Sequence, residues 1–116
     1  METLKLSDKE LIDELVRFIG PTLTAFTAHS TVRAEFVLDE WRNGTGVLHP
    51  GKRERLEVAY KLLNDVAEAD GEDTARAWFI GANSGSNRIS PAESIRRGEF
   101  TDAKASARSL IRDEWL

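Results

Sequence analysis

The stretch of sequence that decides the fold is AWFIGANSGSNRISPAESIRRG, residues 77–98. Its apolar beginning is typical of the end of a helix, and Gly81 is the residue best able to adopt the left-handed conformation that closes one. A polar segment without apolar periodicity follows at residues 83–88, which predicts a loop. The stretch therefore predicts two helices joined by a polar loop. This corner either closes a core and does nothing else, or carries a binding surface.

The second helix of this stretch has clear start and stop signals. Ser90 can cap its free amides, and Pro91 suits the first helical position. Glu93 can reach back to the Ser90 amide, which would complete a capping box. Gly98 ends the helix after about two turns, and Arg96 stands near its carboxyl end, where the helix dipole favours cations.

Upstream, apolar periodicity predicts three helices. The first starts at a capping box formed by Ser7 and Glu10, and the second starts at Pro21. The third runs from about residue 32 or 34 to residue 42. Its apolar side is predicted to consist of Phe36, Val37, Leu38 and Trp41. Two short helices joined by a tight polar turn, after an amphipathic first helix, predict a helix-turn-helix. A plain helical corner around a buried tryptophan is the alternative.

Downstream of a linker at residues 45–51, a long helix is predicted over about residues 52–69 and another over residues 72–80. Thr101 is the predicted cap of a last helix. No segment shows the alternation typical of strands. The sequence therefore predicts an all-α fold of about seven helices. It forms one domain or two subdomains that share a core, with a helix-turn-helix-like region at residues 1–50 and a spine helix with a C-terminal region at residues 51–116.

Composition argues against several classes of protein. The chain of 116 residues has a net charge of −4, unlike a basic protein made for nonspecific nucleic-acid binding. It has no cysteine, and His29 and His49 are its only histidines, so we expect neither a disulfide nor a metal site. No apolar run is long enough to span a bilayer, and the N-terminus does not resemble a signal peptide. We therefore expect a cytoplasmic protein without a membrane partner.

Catalysis is not expected either. A nucleophile needs a base within hydrogen-bond reach and a third group to orient that base. No Gly-x-Ser-x-Gly motif is present, and the loop at residues 83–88 lacks the lysine of a P-loop. We therefore expect no enzymatic activity and no cofactor.

Four motifs, taken in order, resemble the Xre/MbcA/ParS-type antitoxins. They are Leu38-x-x-Trp41-x-x-Gly44, the run Arg55-Leu56-Glu57-Val58-Ala59-Tyr60, Trp78-x-x-Gly81-x-Asn83, and Ser90-Pro91. The resemblance implies a partner toxin of the RES-domain class, which degrades NAD. It also implies that the C-terminal region covers the entrance to the toxin's active site, and that an N-terminal helix-turn-helix can bind the operon's own promoter DNA.

The predicted toxin-binding residues lie in the C-terminal third. Trp115 and Leu116 are hard to bury within this domain alone, and an aromatic residue is a reasonable interface anchor. Docking back on the domain's own helices is the alternative. The complete predicted set is Asn83, Arg88, Ser90, Arg96, Arg112, Trp115 and Leu116.

The predicted DNA-binding residues lie around the third helix and at the start of the long helix. Lys52, Arg53 and Arg55 crowd a helix amino terminus, where the dipole disfavours cations. Phosphate contact is one reason for such a cluster, and an exposed basic turn without consequence is the alternative. The complete predicted set is Arg33, Arg42, Lys52, Arg53 and Arg55.

The sequence thus favours an antitoxin that acts as a homodimer or as a hetero-oligomer with its toxin. One alternative is a free-standing helix-turn-helix regulator whose C-terminal half serves dimerisation. Another is a protein-interaction module that has lost DNA binding. The acidic residues of the third helix favour this second alternative, because phosphate contacts dominate DNA affinity.

Deletion of Trp115 and Leu116 should weaken toxin neutralisation far more than it lowers the melting temperature. A buried aromatic anchor carries about 2 kcal/mol or more of an interface, whereas a chain end contributes little to its own fold. Co-expression rescue beside a thermal melt of the truncated protein measures both. A truncated protein that still protects cells fully, or that unfolds, would place Trp115 in the core.

Overall fold

A computed structural model describes residues 5–81 and 89–113 as an all-α protein, which confirms the predicted fold class and helix number. The seven helices of the described residues are α1 (Asp8–Ile19), α2 (Pro21–Thr27), α3 (Ala34–Asn43), α4 (Pro50–Asp70), α5 (Glu72–Ile80), α6 (Pro91–Arg96) and α7 (Phe100–Asp113). No helix of these residues is long and apolar enough to cross a membrane.

Helix α4 lies at the centre of the molecule. It packs against five of the other six helices, which are α1, α2, α5, α6 and α7. The buried side chains of α4 are Leu56, Val58, Ala59, Leu62, Leu63 and Val66. They belong to one hydrophobic core to which every helix contributes at least one buried residue. The regions at residues 1–50 and 51–116 therefore share a single core, and the boundary between them falls at the first turn of α4.

The predicted capping signals are present at two helices. The Ser7 side chain accepts from the Glu10 amide at 3.0 Å, and the Ser7 amide donates to the Glu10 carboxylate at 2.9 Å. At α6, Ser90 accepts from the Glu93 amide at 3.1 Å. The expectation that Glu93 reaches back to the Ser90 amide is wrong. Its carboxylate pairs with Arg97 one turn later, which is also the better electrostatic partner.

Gly81 does not adopt the left-handed conformation that the sequence predicts. Its φ of −82° and ψ of 152° are extended, a conformation open to any residue. A Cβ atom at this position would lie 2.9 Å from the carbonyl oxygen of Ala77. Glycine is therefore required here by the close approach of the preceding turn. Gly44, which follows the last residue of α3, does adopt the left-handed conformation, with φ of 77°.

Four further details differ from the sequence prediction. The connection between α2 and α3 spans residues 28–33 and is longer than a tight helix-turn-helix turn. Helix α4 begins at Pro50, so the predicted linker loses its last two residues to the helix. Helix α7 begins at Phe100, which places Thr101 in the first turn instead of at the cap. The side chain of Phe36 is 58% exposed, although it was assigned to the apolar side of α3.

Gly71→Ala should lower the free energy of unfolding by about 1–3 kcal/mol, the usual range for a strained backbone residue. Gly71 joins α4 to α5 with φ of 94° and ψ of 161°, and nothing crowds its Cβ position, so the cost is backbone strain alone. Gly51→Ala is the matched control, since Gly51 lies in the first turn of α4 without a positive φ. Alanine there should be neutral or stabilise by up to about 1 kcal/mol. Urea denaturation distinguishes the two, and equal effects would contradict this account.

Candidate partner-binding groove

The first two turns of α4 carry the cations that the sequence assigns to DNA, and the structure gives each of them an intramolecular partner. Arg53 is the most enclosed, with its side chain 20% exposed. Its guanidinium donates to Asp8 at 2.6 Å, to Glu57 at 2.8 Å and to the carbonyl oxygen of Leu6 at 2.6 Å. Burial lowers the pKa of Arg53, but these hydrogen bonds outweigh burial and leave it above its ordinary value. Arg53 therefore ties α4 to the start of α1.

Lys52 and Arg55 point to a different part of the molecule. The Lys52 ammonium donates to the carbonyl oxygen of His29 at 2.9 Å, in the α2–α3 connection. Arg55 donates to the carbonyl oxygens of Arg96 at 3.0 Å and Gly51 at 2.9 Å. The pKa of His29 is lowered first by loss of hydration and then by the charges of Arg96, Lys52 and Arg55. Lys52, Arg55 and Arg96 thus lie near His29, and each donates hydrogen bonds to backbone carbonyl oxygens.

The two remaining residues of the predicted DNA set lie at the two ends of α3. Arg42 donates to Asp13 of α1 at 2.8 Å and to Asp39 at 3.2 Å. Arg33 precedes α3 and is 77% exposed, with Glu35 at 2.9 Å. Among the three predicted DNA-binding arginines that form an ion pair, Arg33, Arg42 and Arg53, Arg33 is the most exposed. Promoter binding stays a prediction.

The described part of the predicted toxin-binding set is divided between two places. Ser90 caps α6, and Arg96 donates to the carbonyl oxygen of Phe26 at 2.7 Å while its guanidinium lies 4.5 Å from the centre of the Phe26 ring. Ser90 thus stabilises the start of α6, whereas Arg96 attaches α6 to the end of α2. Arg112 is exposed on α7. Asn83, Arg88, Trp115 and Leu116 lie outside the described residues.

Arg112 lines an open groove of about 850 Å³ between α4 and α7. The groove has an apolar floor and charged walls, as expected for a site that takes an apolar surface and orients it with polar groups. Its apolar lining consists of Val58, Tyr60, Leu62, Phe100, Ala107 and Ile111. Val58, Leu62 and Ala107 are buried, whereas the three larger side chains are half-buried and present part of their surface to the groove.

The two walls of the groove differ in electrostatics. On α4, Glu57 is paired with Arg53 at 2.8 Å and Lys61 with Asp65 at 3.0 Å. On α7, Lys104, Arg108 and Arg112 form no ion pair within residues 5–81 and 89–113. Four-residue spacing places them in one row along the helix. The α7 wall is therefore basic and available.

Lys104 and Arg108 are not among the predicted site residues, although the sequence contains a pattern that indicates the row. Residues at 104, 108 and 112 follow a helical stripe beside the apolar positions 103, 107 and 111. The sequence pattern does not predict which helix lies beside that stripe in the folded protein. The indole Nε1 of Trp78 donates to Ser106 Oγ at 3.0 Å, which helps fix the rotation of α7 against α5. That rotation places the basic row on the groove.

Comparison with family models, with curated proteins and with solved structures finds no match to this chain. The antitoxin resemblance therefore rests on the sequence motifs alone. Within residues 5–81 and 89–113, no three acidic or histidine side chains form a group that could hold a metal ion.

Arg53→Met should lower the free energy of unfolding by about 2 kcal/mol, because it removes charge-assisted hydrogen bonds from a mostly enclosed guanidinium. Lys61→Met is the control, since it removes an exposed pair on the same helix and should cost less than about 0.5 kcal/mol. Chemical denaturation of both variants measures the difference. A change at Arg53 as mild as that at Lys61 would show that the Arg53 contacts do not hold the fold.

Proposed function

We propose that this protein is an antitoxin that neutralises a RES-domain toxin by binding it through the groove between α4 and α7. The motif resemblance supplies the class of partner. The observation that carries the proposal is the groove itself, in which a row of cations that have no ion pair in the described part of the chain borders an apolar floor. Both features are suited to a protein surface, since apolar contact supplies affinity and charge supplies orientation.

The toxin-binding residues predicted in the C-terminal third support the choice of this groove. Arg112, which was assigned to toxin binding, lies on its wall two residues before the undescribed segment 114–116. That segment contains the predicted anchors Trp115 and Leu116. We therefore place the toxin-binding surface on the side of the molecule where α7 ends.

Promoter binding is not required by this proposal, and the described surface around α3 gives it little support. The exposed side chains of α3 include the acids Glu35, Asp39 and Glu40. Arg42 donates to Asp39 and to Asp13 of α1, so its charge is already paired within the chain. Acidic groups repel phosphates, which supply most of the affinity for DNA. These observations favour an antitoxin that acts as a protein-interaction module over a free-standing regulator.

Ile111→Glu should abolish neutralisation, because it places a carboxylate where the groove offers an apolar, half-buried surface. Val47→Glu is the matched control, as Val47 is 70% exposed in the connection between α3 and α4 and does not line the groove. The assay is growth rescue on co-expression with the proposed cognate RES-domain toxin, with a thermal melt of each purified variant.

Rescue by Val47→Glu together with loss of rescue by a folded Ile111→Glu protein is the expected result. Full rescue by both variants would place the toxin surface elsewhere. If wild-type protein fails to rescue cells from that toxin, the antitoxin assignment itself is wrong.

A further inference from the structure

We propose that the α4–α7 groove binds an acidic amphipathic helix, whose apolar side chains enter the floor and whose carboxylates meet Lys104, Arg108 and Arg112. The inference rests on the proposed function and specifies the chemistry of the toxin segment that docks. It gives a role to the row of cations on α7. Of these three residues, only Arg112 was among the site residues that the sequence predicts.

The size of the groove limits the occupant. From Lys104 to Arg112 the α7 backbone rises by about 12 Å, which is a little over two helical turns. Tyr60, Phe100 and Ile111 line the floor as half-buried side chains. An amphipathic helix of three to four turns covers such a length with apolar residues at helical spacing, the usual mode of recognition in an apolar groove.

The charge of the groove walls determines which charge the docking segment should carry. A purely apolar segment would remove water from three cations without giving them a partner, which is costly. A basic segment would face like charges. Carboxylates at four-residue spacing would supply each cation with an ion pair. On the opposite wall, Glu57 and Asp65 already have partners within the chain, and Glu54 is exposed. Three cations on α7 against the single carboxylate of Glu54 leave the unpaired charge of the groove, within the described residues, net positive, and its complement is acidic.

A second copy of this chain fits the groove poorly. In a two-fold symmetric contact the same patch lies on both sides. The basic rows of two α7 helices would then approach each other or face the paired charges of α4. The groove is thus better matched to a different protein than to itself.

Two synthetic 14-residue helical peptides test this assignment. They share the same leucines at helical spacing and differ only in the flanking charges, which are glutamates in one and lysines in the other. Fluorescence anisotropy with the full-length chain at low salt should show the acidic peptide binding at least about tenfold more tightly than the basic one. The difference should shrink at 0.5 M NaCl, as screening shortens the range of exposed charges.

The double variant Arg108→Glu with Arg112→Glu should reverse the preference, so that the basic peptide binds more tightly. Lys9→Glu with Arg17→Glu is the matched control, because it changes the net charge equally on exposed side chains of α1. This control should keep the preference for the acidic peptide. A preference that both double variants change alike would be an effect of net charge and would overturn the proposal.

Other outcomes assign the groove to a different occupant. If the acidic peptide binds only after residues 114–116 are removed, the chain's own tail fills the groove. If wild-type protein sediments as a dimer that the peptide dissociates, a second copy fills it. Either result overturns the proposal. If the Arg108→Glu, Arg112→Glu variant still rescues cells while Ile111→Glu does not, the toxin docks here without acidic contacts, and only the proposed function survives.

Discussion

The start of α4 ties together three parts of the chain that are distant in sequence. Arg53 binds the segment that opens α1, Lys52 binds the α2–α3 connection, and Arg55 binds the end of α6. Each contact is made by a cation whose partner is a carboxylate or a backbone carbonyl oxygen. The apolar face of α4 supplies the bulk of the burial, but these polar contacts set the positions in which α1, α2 and α6 meet it.

This arrangement explains why a helix begins with cations that its own dipole disfavours. The carbonyl oxygens of His29, Phe26 and Arg96 lie at or just beyond the carboxyl ends of α2 and α6, where the dipoles of those helices are negative. Lys52, Arg55 and Arg96 occupy the region between these ends. The unfavourable interaction with α4 is offset by favourable interactions with its neighbours. A phosphate ligand is therefore not needed to explain the cluster.

Much of the fold could be predicted from the sequence, because its signals are local. Capping residues, apolar periodicity and Gly-Pro punctuation indicated all seven helices, and α5 has the predicted bounds. The errors arise where distant contacts decide. Arg53 is explained by Asp8, forty-five positions earlier in the chain. The groove was missed for the same reason, since its two walls come from helices separated by α5 and α6. Gly81 is an exception, because the carbonyl oxygen that approaches it belongs to Ala77, in the preceding turn. Asn83, Arg88, Trp115 and Leu116 stay predictions.

Hydrogen exchange measured by mass spectrometry on this protein, alone and mixed with the proposed RES-domain toxin, tests the central claim most directly. The account predicts that binding slows exchange in peptides covering residues 54–65 of α4 and residues 100–112 of α7, which line the groove. The α2–α3 connection and α3 should exchange as they do in the free protein. Protection concentrated in α3, with α7 unchanged, would contradict the account.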